Sequence, residues 1–224
     1  MKIKAHYIAV VLSMFGCLSL SAPAWAEVTL ENCRVGDLVN FGYYVQGLEK
    51  ECAPIQWIVL RRSDKEIQLI SSAGIAVKPF NDDNASRSWE KSSLRAWLNR
   101  EFWQAAFSEV LDEQIVLSSY RAKQVRDDKG VVAGEMLYDK VYILSQDEAE
   151  KLPLEDRRCC PTGDAFRRGA YVTNGLGTGV WWTRTRDSKS KRVVAVDITG
   201  ALTTSELDNC EKVMVRPVIT VKAP

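Results

Sequence analysis

Two tryptophans and two arginines share one short segment of this chain, and they are the side chains best suited to hold a ligand. The segment reads Trp181-Trp182-Thr183-Arg184-Thr185-Arg186. Because successive side chains of a strand point to opposite faces, Trp182, Arg184 and Arg186 would share one face. An exposed indole ring with guanidinium donors suits sugars or carboxylates. The structural alternative is an arginine packed on its own tryptophan.

Carboxylates are the second group that could do chemistry. Asp82 and Asp83 offer the oxygen ligands that calcium takes, although such clusters are usually solvated turns. The acids Glu90, Asp139 and Glu148 show no spacing that indicates a glycosidase pair. The sequence contains no phosphate-binding loop, nucleophile elbow or metal-ligand cluster, so we expect no cofactor and no dedicated metal site.

The amino terminus has the layout of a secretory signal. Two lysines precede an apolar run, Tyr7–Leu20, and Ala24 and Ala26 then occupy the small-residue positions of a cleavage site. The run is too short for a membrane anchor, which needs about 20 apolar residues. We therefore predict a signal peptide over residues 1–26 and a periplasmic or secreted protein. A lipid anchor at Cys17, which follows a glycine, is the alternative.

Removal of the leader would leave residues 27–224 as a single domain. His6 is the only histidine of the chain, so histidine is then excluded as a base, a metal ligand or a pH switch. The whole chain has 30 basic and 29 acidic residues, which is too near neutrality for nucleic acid or anionic lipid to be a partner. A small molecule, a glycan or a protein remains as the ligand.

Five cysteines follow the leader, namely Cys33, Cys52, Cys159, Cys160 and Cys210. In an exported protein they are expected to form disulfides rather than a metal site. Cys33 and Cys52 flank the first strand-like segment and make a natural pair. Cys210 would pair with Cys159 or Cys160, and the spacing does not choose between them. A reactive thiol is the alternative, because arginines at 157 and 158 precede Cys159 and could lower its pKa.

Strand patterns lie at both ends of the chain and helical patterns in the middle. Alternating or continuous apolar runs predict strands at Leu38–Tyr44, Ile55–Leu60, Glu66–Ser71, Val141–Leu144, Val180–Thr185, Val193–Asp197 and Val213–Val221. The polar stretch Arg121–Gly130 reads as a surface loop or a hairpin tip. This order indicates an α+β fold whose terminal strands meet in one antiparallel sheet.

The helical stretch has one apolar stripe and a clear beginning. The stripe has helical spacing and consists of Leu94, Trp97, Leu98, Phe102 and Ala105. Ser92 is a good N-cap for this helix, and Ser145 could cap another that ends near Pro153. A further short helix is predicted over Glu109–Leu117. Arg95 and Arg216 are interpreted as members of structural ion pairs.

A series of motifs in fixed order resembles a bacterial family of extracytoplasmic domains of unknown function. The matching segments are Val35–Tyr44, Pro54–Leu60, Trp89–Asn99, Asp139–Ser145, Trp181–Thr185 and Val215–Val218. The family pattern in the third segment is W-E-x-S-x-L-R-x-W-L-N, which this chain matches throughout. The resemblance implies a distant relationship to formylglycine-generating-enzyme and C-type-lectin-like folds, which present a variable binding surface on a loop-rich scaffold.

The chain departs from the family pattern in the tryptophan segment. The usual W-W-L-R-S-P is here Trp181 to Arg186, with threonine in place of leucine and arginine in place of proline. Any ligand carried over through this segment is therefore in doubt. The sequence favours a non-catalytic binding domain for a glycan, peptide or envelope component. The alternatives are a thiol-dependent enzyme and a structural or assembly protein of the envelope.

Overall fold

The computed structural model describes residues 28–82, 88–121, 124–127, 130–133, 135–173, 175, 177–187, 192–204 and 212–224, with the backbone alone for 124–127 and 130–133. The predicted signal peptide, Cys17, Asp83 and Cys210 lie outside these residues.

Strands dominate the described chain, and short helices join them. The strands are β1 Leu38–Val45, β2 Cys52–Arg62, β3 Glu66–Ser71, β4 Ala76–Val77, β5 Ser118–Arg121, β6 Gln124–Asp127, β7 Gly130–Ala133, β8 Met136–Asp139, β9 Val141–Tyr142, β10 Trp181–Arg186, β11 Val193–Val196, β12 Leu202–Thr204, β13 Met214–Val215 and β14 Val218–Lys222. The helices are α1 Ser93–Trp97, α2 Trp103–Ala106, α3 Glu109–Asp112, α4 Gln146–Glu150, α5 Leu154–Arg157 and α6 Gly163–Arg167.

Two five-stranded sheets form the framework. The first has the order β1-β2-β3-β14-β9 and is antiparallel throughout, so the terminal strands meet in one sheet as predicted. The second has the order β12-β11-β10-β13-β4, and only its β10–β13 pair is parallel. Two ribbons, β5 with β8 and β6 with β7, complete the strands. The α+β class with mostly antiparallel sheets is therefore confirmed.

The two sheets share one pair of chain segments. β3 continues into β4, and β13 continues into β14, so that each segment leaves one sheet and enters the other. Between the sheets, the backbone N–H of Ile75 donates to the carbonyl of Val215 at 3.0 Å, and that of Ser71 donates to Pro217 at 3.0 Å. The predicted single strand over Val213–Val221 is thus two strands with a joint at residues 216–217.

Arg216 holds this joint. Its side chain is fully buried, and its Nε and Nη2 atoms donate to the Ser71 carbonyl at 3.1 and 2.9 Å. Nη1 donates to the Asp156 carbonyl at 2.6 Å, and the guanidinium lies 4.9 Å from the centre of a Trp181 ring. The predicted ion pair is wrong, because none of the ion pairs found between described residues includes Arg216. Backbone carbonyl oxygens take the place of a carboxylate.

The long helix begins where the sequence places it. The Ser92 side chain accepts a hydrogen bond from the backbone N–H of Arg95 at 3.1 Å, as expected of an N-cap. A π-helical turn, Leu98–Phe102, then joins α1 to α2. This wider turn shifts the buried face by one position, so that Ala106 is buried and the predicted Ala105 is exposed.

Two shorter helices differ in extent from the prediction. Ser145 caps α4 in a full capping box with Glu148, but the helix ends at Glu150. The helix predicted over Glu109–Leu117 ends at Asp112, because the chain beyond it lies against β14. There the Val116 N–H donates to the Thr220 carbonyl at 2.8 Å.

The predicted Cys33–Cys52 disulfide is wrong. Cys52 begins β2, whereas Cys33 is buried at the far end of that strand, with its Sγ atom 3.0 Å from Nη1 of Arg62. A strand rises about 3.3 Å per residue, so β2 holds the two sulfur atoms far apart, and a disulfide needs Cα atoms within about 7 Å. Cys159 is also a free thiol. Pairing with Cys210 lies outside the described residues.

Thiol labelling tests this correction. In protein that begins at Glu27 and carries Cys210→Ser, the exposed Cys52 should react with a thiol reagent in the native state. The buried Cys33 and Cys159 should react only after unfolding, because the folded chain excludes the reagent. A Cys33–Cys52 cross-linked peptide in a non-reducing digest would contradict the structure.

A second prediction concerns the joint. Arg216→Lys should lower the free energy of unfolding by about 3 kcal/mol, because one ammonium cannot reach the Ser71 and Asp156 carbonyls together and leaves a buried acceptor without a donor. Chemical denaturation measures the change. Arg100→Lys, at an exposed arginine, is the control and should shift stability by less than about 0.5 kcal/mol. Equal stability of the two variants would refute the role of Arg216.

Candidate binding cleft

The predicted surface of Trp182, Arg184 and Arg186 does not form. Trp182 has no exposed area, its indole N–H donates to the Lys78 carbonyl at 2.9 Å, and its ring meets Phe80 edge-on at 5.8 Å. β10 lies in the middle of its sheet, and both of its faces are covered, so Trp181 is buried as well. The expectation that one tryptophan lines a surface is therefore wrong.

Arg184 is buried behind the aromatic wall of a cleft. Its Nη2 atom donates to Oε1 of Glu148 at 2.8 Å, and its Nη1 atom donates to Oε2 of the same carboxylate and to the Ile143 carbonyl. The guanidinium lies 4.4 Å from the centre of the Tyr120 ring and 5.6 Å from that of Tyr142. Arg186, at the end of β10, is half-buried. Arg184 therefore supports side chains that reach the surface and does not itself meet solvent.

The cleft has a volume of about 370 Å³ and a polar floor supplied by the first sheet. Arg61, Gln68 and Thr220 stand directly opposite one another on β2, β3 and β14, so their side chains share one face. The next row on that face is apolar and buried beneath the rest of the protein, and it consists of Ile58, Ile70 and Val218. The same face is thus covered at one end and open at the other.

Hydrogen bonds fix the polar groups on this floor. The Gln68 amide donates from Nε2 to the Tyr142 hydroxyl at 2.6 Å, and the Ser118 hydroxyl donates to Oγ1 of Thr220 at 2.9 Å. Burial raises the pKa of Tyr142, so its hydroxyl stays protonated and remains able to donate. The cleft therefore presents hydroxyl and amide groups in set positions.

Glu148 contributes a permanent negative charge to the wall. Burial by itself raises the pKa of this carboxyl, but the hydrogen bonds and charge of Arg184 outweigh burial, and the backbone N–H of Ser145 adds to them. The pKa of Glu148 is therefore lower than usual. The carboxylate stays ionised and acts only as an acceptor.

Tyr120 lines the cleft beside Tyr142, and neighbouring side chains hold both its ring and its hydroxyl. Its hydroxyl accepts from the Trp89 indole N–H at 2.6 Å and donates to Asp139, which also pairs with Nε of Arg95 at 2.8 Å. Burial, and then the charge of Asp139, raise the pKa of Tyr120. The ion pair predicted for Arg95 is confirmed, and its effect is to fix a ring of the cleft.

Family comparison places this cleft inside a known domain. The family described as Domain of unknown function (DUF6273) matches residues 59–223. The chain belongs to this family. In comparisons with curated proteins and with solved structures, nothing matches the chain significantly. The matched range includes every residue that lines the cleft, whereas the motifs predicted over Val35–Tyr44 and most of Pro54–Leu60 precede it.

The other predicted site residues lie elsewhere on this DUF6273 domain. Asp82 is exposed, and its backbone N–H donates to the Ser93 hydroxyl at 2.9 Å. Within the described ranges no three His, Cys, Asp or Glu side chains group as metal ligands. Cys159 is buried, and burial raises its pKa, which is the reverse of what a nucleophilic thiol needs. Of the helices that the structure describes, none is long and apolar enough to cross a membrane.

The sequence carried only a weak signal for the cleft. Glu66 and Gln68 alternate with Ile67 and Leu69, which indicates a strand with one polar face. That pattern is typical of any sheet at a protein surface, and nothing in it shows that Tyr120 and Tyr142 lie across from Gln68. Glu148 was visible as an acid, but the chain separates it widely from Arg184.

The Glu148–Arg184 pair gives a pH-dependent prediction. Glu148→Gln should lower the free energy of unfolding at neutral pH by about 2 kcal/mol, less than for a fully buried pair because Glu148 is partly exposed. The pKa of Glu148 is lower in the folded chain than in the unfolded chain. The native protein should therefore be more stable than the variant at pH values above the unfolded pKa of about 4.3. This difference in stability should disappear as the pH falls from the unfolded pKa through the folded pKa of Glu148.

Denaturation curves recorded across this pH range provide the measurement. Glu150→Gln, on the exposed side of the same helix, is the matched control and should change stability little at any pH. A stability difference for Glu148→Gln that persists in strongly acid solution would contradict the assigned ion pair.

Proposed function

We propose that this protein is an exported, non-catalytic binding domain that holds a hydroxyl-rich ligand, such as an envelope glycan, in the cleft. The observation that carries the proposal is the polar floor of Arg61, Gln68 and Thr220 with Tyr142 and Glu148 beside it. These groups can both donate and accept hydrogen bonds to a ligand. Ligand pockets of a few hundred Å³ are common in proteins.

The chemistry of the cleft suits alcohols. Glu148 is an ionised acceptor for a ligand hydroxyl, and the Gln68 amide can accept at Oε1 while its Nε2 remains on Tyr142. Because these side chains are already bonded to the protein, binding costs little side-chain ordering. The tyrosine rings supply apolar area beside the polar groups.

The state of the ionisable groups favours binding over catalysis. A general acid at neutral pH needs a raised carboxyl pKa, whereas that of Glu148 is lowered. The thiol-dependent alternative would need a low thiol pKa, whereas burial raises that of Cys159. A structural or assembly role would rest on a cysteine left over from the two predicted disulfides, and no contact between described residues favours it.

Export rests on the leader. We propose that residues 1–26 are a signal peptide, that residues 27–224 form one domain in the periplasm or outside the cell, and that this is a bacterial extracytoplasmic protein. The motif series and the irregular α+β framework support a distant relationship to formylglycine-generating-enzyme and C-type-lectin-like scaffolds. Disulfides do not add to the case for export, because Cys33, Cys52 and Cys159 are free thiols.

Glycan arrays and titration calorimetry with envelope oligosaccharides test the binding site. Gln68→Ala should weaken binding at least about tenfold, because a buried hydrogen bond to the ligand is lost, and Tyr142→Phe should weaken it by a smaller factor. Tyr171→Phe removes the hydroxyl of an exposed tyrosine that does not line the cleft and should leave affinity unchanged.

Two results would count against the proposal. If Gln68→Ala and Tyr142→Phe bind as tightly as the native protein, the ligand site lies elsewhere. If the native protein binds no oligosaccharide at all, the proposed ligand class is wrong. Thermal unfolding of each variant establishes that the fold is intact.

A further inference from the structure

We infer that the cleft takes an acidic saccharide and that Arg61 holds its carboxylate. This inference rests on the proposed function and specifies its ligand. It depends on three features: the backbone that presents Arg61, the state of its guanidinium, and the charges around it.

A β-bulge turns Arg61 into the cleft. Val59 pairs with Leu69, and Arg61 pairs with Gln68, so Leu60 is an extra residue in β2. In a regular strand Arg61 would share the face of Val59, which is buried in the core. The bulge places it on the face of Gln68 instead. Bulges often lie beside binding sites, where they redirect a side chain.

The Arg61 guanidinium is uncommitted. Its side chain is exposed, and none of the ion pairs between described residues includes it. The next residue provides a contrast, because Arg62 donates to the Leu30 carbonyl at 2.6 Å and to the Glu31 carbonyl at 3.0 Å. Arg62 thus fastens the amino-terminal segment to the sheet, while Arg61 retains its donors for a ligand.

The charges near Arg61 leave its own charge uncompensated. Glu148 lines the same cleft, but Arg184 neutralises it with two hydrogen bonds. Glu66 stands directly across from Lys222 on β14, as an opposite-charge pair on neighbouring strands. Glu66 also lines the cleft, but none of the ion pairs between described residues joins it to Arg61, which is the one cation among the lining residues.

A carboxylate on a sugar ring matches this arrangement. A guanidinium binds a carboxylate through two parallel hydrogen bonds, and the ring hydroxyls would meet Gln68, Thr220 and Glu148 on the adjoining floor and wall. A neutral sugar could use the floor but would leave Arg61 without a partner. The cleft should therefore distinguish acidic from neutral forms of one saccharide.

Calorimetry with an oligogalacturonide and its fully methyl-esterified form tests the inference, because the two probes share one sugar backbone and differ in whether each carboxyl group is a charged carboxylate or a neutral methyl ester. The native protein should bind the acid form at least about tenfold more tightly. Arg61→Ala should abolish this preference while retaining binding of the ester, and Arg61→Lys should restore only part of it. Arg100→Ala removes the same charge from an exposed arginine outside the cleft and should preserve the preference.

The outcomes separate this inference from the proposed function. Equal binding of acid and ester by the native protein, or a preference that survives Arg61→Ala, overturns the role of Arg61 and leaves a glycan-binding cleft intact. If the native protein binds neither form, the role of Arg61 and the proposed glycan binding are both overturned for this class of saccharide. Arg61 is exposed, so its replacement should not unfold the chain.

Discussion

The buried guanidinium of Arg216 is the interaction on which the remaining structure depends. Two sheets meet where β3 passes into β4 and β13 passes into β14, and the Ser71 carbonyl at that corner receives two of the arginine's hydrogen bonds. The third bond, to Asp156, ties the helical segment after β9 to the same corner. A buried cation is costly unless its donors are satisfied, and here the donors are satisfied by backbone carbonyl oxygens. The joint therefore sets how the second sheet and its neighbours cover one end of the first.

The cleft exists because that cover is incomplete. One face of the first sheet is apolar where the second half of the molecule packs on it and polar beyond, so the boundary of the packing is also the boundary of the site. Side chains behind the walls are themselves paired, with Arg184 on Glu148 and Arg95 on Asp139. Tyr120 stands between these pairs and bonds to one while it stacks on the other. The walls are thus supported from within and need no ligand to take shape.

Local patterns predicted local structure well. Ser92 and Ser145 begin helices because a hydroxyl at that position satisfies free N–H groups, and alternation over Glu66–Ser71 gave a strand with those bounds. The predictions that failed are those that depend on what packs against each face of a strand or helix. Trp182 was expected at a surface because its strand alternates, but a central strand covered on both faces buries every position except the last, Arg186. Cys33 and Cys52 are near in sequence, but the length of β2 separates them. The π-helical turn shifts the apolar stripe that a regular helix would have continued. Gln68, Tyr142 and Glu148 come together only through the tertiary fold.

The shared pair of strands also determines when the chain can fold. β13 and β14 lie near the carboxyl end, but they pair with β4 and β3 in the first half of the chain, so each sheet lacks an inner strand until this late segment is present. Contacts between segments so distant in sequence are slow to form, because a long loop must close before they contribute. Neither sheet can therefore be completed before these late strands are available. This delay is compatible with the proposed export, in which a polypeptide is threaded through a membrane before it acquires tertiary structure.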